Sequence, residues 1–163
     1  MVNSTIIEHK INCDCCLPTE VLEAPRNAEC PHSGTVSGKI QHMTVEHLVK
    51  PELKGSISDS QYYYCDASDC PVVYFTQDGS GTFTKGDLQV AVFNKDMGKD
   101  VNVCYCYDWT RERIRDQIKT TGSSTALDEI REKVNADNCI CEIKNPKGTC
   151  CLGDIQSFLK EIA

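Results

Sequence analysis

The clearest pattern of apolar and polar positions is a pair of β-prone runs in the middle of the chain. Residues 61–65 (Gln-Tyr-Tyr-Tyr-Cys) and 70–75 (Cys-Pro-Val-Val-Tyr-Phe) are aromatic and β-branched runs. Between them stand the turn-forming residues 66–69 (Asp-Ala-Ser-Asp), so the stretch predicts a β-hairpin. Residues 38–43 predict a strand, and 44–48 a short helix capped by Thr44 and ended near Pro51. Residues 78–81 mark another turn, and 87–93, with Leu88, Val90 and Val92 alternating, predict a further strand. Beyond residue 101 the period lengthens to that of a helix. Thr110 caps a helix with Ile114 and Ile118 on one face, and Gly122 ends it. Thr125 opens a second helix, striped by Leu127, Ile130 and Val134. Residues 145–148 form a turn, and a last helix over 152–162 points Ile155, Phe158, Leu159 and Ile162 inward. Residues 1–29 hold no sustained period and predict an irregular, cysteine-bearing arm. The expected fold class is therefore α+β. A small zinc-stabilised β-rich module over 30–100 precedes a small α-helical, metal-binding module over 101–163.

Charge narrows the partners. Against 24 Asp+Glu the 163-residue chain sets 17 Lys+Arg, a formal charge of −7, which argues against nucleic-acid binding because phosphate contacts need clustered cations. No apolar run approaches the ~18 residues of a membrane span. The N-terminus lacks the basic start and apolar stretch of a signal peptide, so the expected location is cytoplasmic.

The 12 cysteines change the picture most. A reducing compartment keeps thiols free unless a metal or redox role occupies them. They are also clumped, at 13, 15 and 16, then 30, 65 and 70, 104 and 106, 139 and 141, 150 and 151. Close pairs are poor disulfide partners for each other but good chelates, so the pattern points to metal ligation. Cys65 and Cys70 close the predicted hairpin, and Cys30-Pro-His32 offers the other half of a site. That gives Cys30, His32, Cys65 and Cys70 as a Cys₃His zinc set, with Cys13, Cys15 or Cys16 as the rival source of the fourth ligand. In the second half, Cys104-Tyr-Cys106, Cys141 and Cys151 supply four thiolates, the usual complement of a [2Fe–2S] cluster. In an extended segment Cys104 and Cys106 would point the same way. Two of these cysteines lie just before predicted helix starts, where unpaired N–H groups favour negative charge. Spacing alone leaves a closed Cys₄ zinc site equally open.

The second motif is the more specific. Cys104-Tyr-Cys106, followed by Cys141-x₃-Asn145-Pro146-x-Gly148-x-Cys150-Cys151-Leu152-Gly153-Asp154, resembles the [2Fe–2S] domain of bacterioferritin-associated ferredoxins. More closely it resembles the N-terminal region of the iron–sulfur-type CopZ copper chaperones. The resemblance spans roughly residues 30–163. It implies a cluster on Cys104, Cys106, Cys141 and Cys151, with Cys150 the rival of Cys151, and it tips the second site from zinc toward iron–sulfur. It also implies a zinc region before the cluster, whose first pair often reads Cys-Pro-x-Cys-Gly. Here that pair reads Cys30-Pro-His-Ser33-Gly34, with a poor zinc donor at Ser33.

The resemblance implies a metal-handling protein that passes electrons to reduce and deliver a thiophilic metal such as copper, as Cu(I). Its partners would be a copper-transporting ATPase, a separate copper-carrying domain or an electron donor protein. The sequence contains no Met-x-Cys-x-x-Cys motif, the usual Cu(I) transfer site of such chaperones. Cys13, Cys15 and Cys16 are soft donors that could substitute for it. The alternatives are a pure [2Fe–2S] electron-transfer adaptor and a structural scaffold holding two zinc ions. No open metal site with a neighbouring acid or base stands out, so the chain reads as a non-enzyme, with one-electron metal reduction the only chemistry in view.

Overall fold

The computed structural model describes residues 23–163, so Cys13, Cys15 and Cys16 lie outside the described residues. The chain folds into small antiparallel sheets followed by helices. Strands β1 (Asn27–Glu29) and β2 (Val36–Gly38) form a hairpin that begins inside the stretch expected to be irregular. Helix α1 (His42–Leu48) follows, then a 3₁₀ turn at Pro51–Ser56. The predicted central hairpin is present as β3 (Tyr62–Tyr64) and β4 (Val72–Thr76), and β5 (Thr82–Thr84) completes a sheet of order β3-β4-β5. All five residues of β4 are buried, as expected of a central strand rich in β-branched and aromatic residues.

This sheet separates two cores. One face, with Tyr62, Tyr64, Tyr74 and Phe83, packs against Val45 and Leu48 of α1 and against Leu88 and Val92. The other carries Tyr63 stacked on Phe75 (centroids 5.6 Å apart), together with Cys30, Cys65 and Cys70. A third core forms where β6 (Asn102–Cys104) and β7 (Trp109–Thr110) meet α2 (Arg111–Thr121), α3 (Ala126–Asn135) and α5 (Leu152–Glu161). Trp109, Ile114, Ile130, Ile155 and Phe158 fill it. A short helix α4 (Cys141–Lys144) lies against α1.

Several expected elements differ. Past Gly38, which ends β2, residues 39–43 are not a strand: Lys39 makes one bridge to Tyr63, Gln41 takes the N-cap position of α1 without a side-chain bond, and the helix starts at His42. Thr44 is therefore inside the helix rather than its cap. It is buried, and its hydroxyl donates to the carbonyl of Glu142 in α4. Residues 87–93 are not a strand either. Thr84 and Asp87 close a capping box around a 3₁₀ turn, and after a single bridge from Leu88 to Val49 the chain turns again. The hairpin of β6 and β7 opens a stretch that was expected to be helical, its turn closed by Asp108 in the left-handed region (φ 52°).

Helix ends in the second half follow the expected residues. The Thr110 hydroxyl accepts the Arg113 N–H at 3.1 Å, and Gly122 (φ 82°) terminates α2.

The two halves are tied by more than α1 and α4. Tyr74 donates its buried hydroxyl to the Pro146 carbonyl at 2.8 Å. Gly148 (φ 64°) passes so close to α1 that a Cβ there would stand 3.0 Å from the Thr44 hydroxyl. The irregular stretch from Ala91 to Gly98 is held from both sides. Arg111, buried beneath Phe93 and Phe158, donates to the carbonyls of Phe93, Asp96 and Gly98. Tyr105 donates to Ala91 O and accepts from Phe93 N. From the first half, Tyr64 donates to Asn94.

Candidate functional site

Three of the four residues expected to bind zinc meet. Cys30 stands just past β1 in the turn to β2, which Gly34 (φ 72°) closes with its N–H on Cys30 O at 2.8 Å. Cys65 follows β3 and Cys70 precedes β4, so the hairpin delivers both thiols to one end of the sheet. The three Sγ atoms lie within 4.8 Å of one another and all three residues are buried. Cys30 and Cys70 are 4.0 Å apart at sulfur. A tetrahedral zinc with bonds of about 2.3 Å would set its sulfurs about 3.8 Å apart, so the spacing suits one ion.

Backbone amides reinforce that fit. The N–H groups of His32 and Ser33 point at Cys30, and that of Ala67 at Cys65. Burial pushes the Cys30 thiol up, but its bonds to Ser33, to these amides and to Cys65 outweigh burial and bring it down to about 7. Burial wins at Cys65, which is raised. Two side chains of the Cys30 turn offer a fourth donor: His32 Nδ1 lies 3.4 Å from Cys70 Sγ and Ser33 Oγ 3.5 Å from Cys65 Sγ.

Sequence reasoning missed Lys95. Its side chain is buried, and Nζ donates to Ala67 O (2.5 Å) and Cys70 O (3.1 Å), clamping the loop between the two cysteines. A single lysine in an irregular stretch gives no signal of this.

The second set gathers more loosely: among the described residues only Cys30, Cys65 and Cys70 bring three ligand atoms within 4.8 Å of one another. Cys104 ends β6, Cys141 opens α4 and Cys151 immediately precedes α5; all three are buried. Cys106 is half-buried and lies in the β6–β7 turn, so strand alternation does not account for its direction. Its sulfur is 3.7 Å from that of Cys141, while Cys151 hydrogen-bonds both Cys104 and Cys141. Those bonds from Cys151 lower Cys104 to about 7 and Cys141 to about 6, and they push Cys151 itself far up. Burial raises Cys106 to about 12.

Amides face these sulfurs too: Tyr107 and Cys106 N–H toward Cys104, Ile140 N–H toward Cys106, and Cys151 N–H toward Cys141. The 145–148 turn is closed by its own amides. Its amides serve Asn145, whose Oδ1 accepts from Lys147 N and whose carbonyl accepts from Gly148 N, rather than a sulfur. Cys150 and Cys151 diverge, Cys151 buried toward the other three and Cys150 exposed. All nine cysteines among the described residues are free thiols.

Comparison with known proteins bears on the first site most directly. Residues 27–89 match a family model described as a zinc binding domain, zf_CopZ. The chain is 30% identical over 122 residues to the copper chaperone CopZ of Archaeoglobus fulgidus, an alignment covering 75% of this chain and 57% of that protein. It thus spans less than two thirds of its relative's length. The fold is similar to the X-ray structure of the Archaeoglobus fulgidus CopZ N-terminal domain, with a TM-score of 0.65 and 26% identity over 80% of this chain and 96% of that one. This is a mixed helix-and-sheet chain homologous to that N-terminal domain. It carries a CopZ-type zinc binding domain with a three-cysteine site at Cys30, Cys65 and Cys70. Among the described residues, no helix is long and apolar enough to cross a membrane.

Proposed function

We propose that the chain is a metal-handling protein of a reducing, cytoplasmic compartment, with a structural zinc ion in its first half and a [2Fe–2S] cluster in its second. Cys30, Cys65 and Cys70 would hold the zinc, with His32 as fourth ligand because a neutral imidazole is a standard zinc donor and a hydroxyl a poor one. Cys104, Cys106, Cys141 and Cys151 would hold the cluster, which when bound supplies one-electron chemistry.

The observation that carries this reading is the convergence of four thiols from β6, its turn, α4 and the start of α5, with N–H groups directed at three of the sulfurs. Amides aimed at sulfur stabilise thiolate charge and oppose burial, an arrangement that suits an anionic cluster as it suits a zinc–thiolate site. The half-buried Cys106 leaves that site accessible along one edge, through which an electron could pass. The copper chaperone relative supports a thiophilic cargo such as Cu(I), and a copper-transporting ATPase, a copper-carrying domain or an electron donor as partner.

The 3.7 Å separation of Cys106 and Cys141 also suits a single tetrahedral ion, which favours zinc at both sites as the second reading. Metal analysis of anaerobically purified protein decides between them. About two Fe and one Zn per chain, with brown charge-transfer absorption, are expected; a colourless protein with about two Zn sinks the cluster. Cys151→Ser is expected to bleach the protein, whereas Cys150→Ser keeps its colour.

A further inference from the structure

Among the described residues two thiols are left over once the clusters are built, and they share a place. Cys139 and Cys150 line one open cavity of about 200 Å³ beside the second site, together with Cys141, Asp137 and Glu142. Cys139 is half-buried and Cys150 exposed, so both can be reached from solvent. Each stands on a fixed turn. Asp137 in the left-handed region (φ 51°) reverses the chain after α3, and the Asn138 carbonyl is held by the Tyr107 hydroxyl. The Asn145 side-chain amide donates to Thr149 O at 2.8 Å, immediately before Cys150.

We propose that Cys139 and Cys150 form a surface site for one soft monovalent cation, Cu(I) or Ag(I), next to the second cysteine cluster. Such ions are satisfied by two thiolates, whereas zinc asks for four ligands, so an open pair selects for softness and low coordination. Binding displaces the two thiol protons and leaves a complex of net charge −1. Asp137 and Glu142 on the rim make the approach attractive to a cation. Turns already fixed in the apo chain lower the ordering cost of bringing both sulfurs to one ion. Cys141, shared by the cavity and the cluster set, places a bound cargo against the redox site. The inference rests on the reading that a soft metal is the cargo.

The test uses the full metal-loaded chain, anaerobic and reduced, with Cys13, Cys15 and Cys16 changed to Ser to remove competing thiols. Cu(I) is titrated against a chromogenic Cu(I) chelator. Stoichiometric uptake is expected, weakened about tenfold or more in Cys139→Ser and in Cys150→Ser, with iron and zinc contents unchanged. Unweakened uptake in both variants overturns the site. Should a substitution disturb the fold, Ag(I) is added to the otherwise unsubstituted chain before alkylation and peptide mass analysis. Selective shielding of Cys139 and Cys150 supports the pair; equal labelling with and without Ag(I) overturns it. Iron content read on the same samples keeps the two ideas apart: absent iron sinks the cluster, and present iron with no pair-dependent uptake sinks the cargo site.

Discussion

The two cysteine clusters sit in cores of different make-up. Around the first, three of the seven buried residues are the cysteines themselves, beside Ala28, Tyr63, Val72 and Phe75. Around the second, only Cys104 and Cys151 are cysteines among nine, and Trp109, three isoleucines and Phe158 supply most of the bulk. The first trio is fully enclosed, whereas the second set reaches the surface through Cys106. A core in which three of seven residues are cysteine has little apolar bulk to bury, so a metal bound there would act as a cross-link. A core with its own aromatic and aliphatic filling can hold its thiols in place with or without a metal.

Substitution of one cysteine in each cluster is the sharpest way to break that comparison. Cys70→Ser is expected to lose zinc and with it the protection of the β1–β2 hairpin, a loss that may be set against the roughly 10 kcal/mol or more of apparent binding energy of structural zinc sites. Hydrogen exchange at Ala28 and Cys30, with zinc analysis, reads it. Cys151→Ser should keep its helical circular dichroism while losing the cluster's colour. Equal unfolding in both variants would erase the distinction.

Arg111→Met comes next. It removes a buried cation from three carbonyls while keeping apolar contact with Phe93 and Phe158, and is expected to cost about 3 kcal/mol in urea unfolding. A change below about 0.5 kcal/mol would show that water serves those carbonyls equally well.

Lys95→Met leaves Ala67 O and Cys70 O without their donor and should cost about 1–3 kcal/mol. It should also speed zinc release to a chelator; an unchanged release rate would mean the metal alone holds the loop.

The smallest effect concerns acid. Burial resists ionisation of Asp96, but its bonds from Lys85 and the Val92 N–H, with Arg111 nearby, hold it below the ordinary carboxylate range. Its contribution is therefore present above the unfolded value near ~3.9 and lost as pH falls through the lower folded value. Asp96→Asn should flatten the acid limb of a stability–pH curve by under about 1 kcal/mol, since the pair with Lys85 is partly solvated. An unaltered limb would remove Asp96 from the account.

What the residues disclosed in advance follows from how local each feature is. The β3–β4 hairpin was legible because aromatic runs and turn residues lie within fifteen positions of each other, and the ends of α2 because Thr110 and Gly122 each act on their own turn. The strand expected at 87–93 failed because alternation at Leu88, Val90 and Val92 records burial, not pairing; Asp87 and Asp96 bend that backbone with their own carboxylates. Thr44 looked like a cap because hydroxyls favour helix starts, yet its partner lies 98 residues away in α4. Among site residues, the pairing of Cys65 with Cys70 was local and visible. The approach of Ser33 to Cys65, and the roles of Lys95 and Arg111, depend on chain segments meeting in space, and no spacing encodes them.

The strap between Ala91 and Gly98 also dictates where this chain can be divided. A cut after Lys99 would leave one fragment with a guanidinium stripped of its carbonyl acceptors and a Tyr105 hydroxyl facing nothing, and the other with a frayed end where Phe93 and Asp96 had been fastened. Fragments made there should aggregate rather than fold.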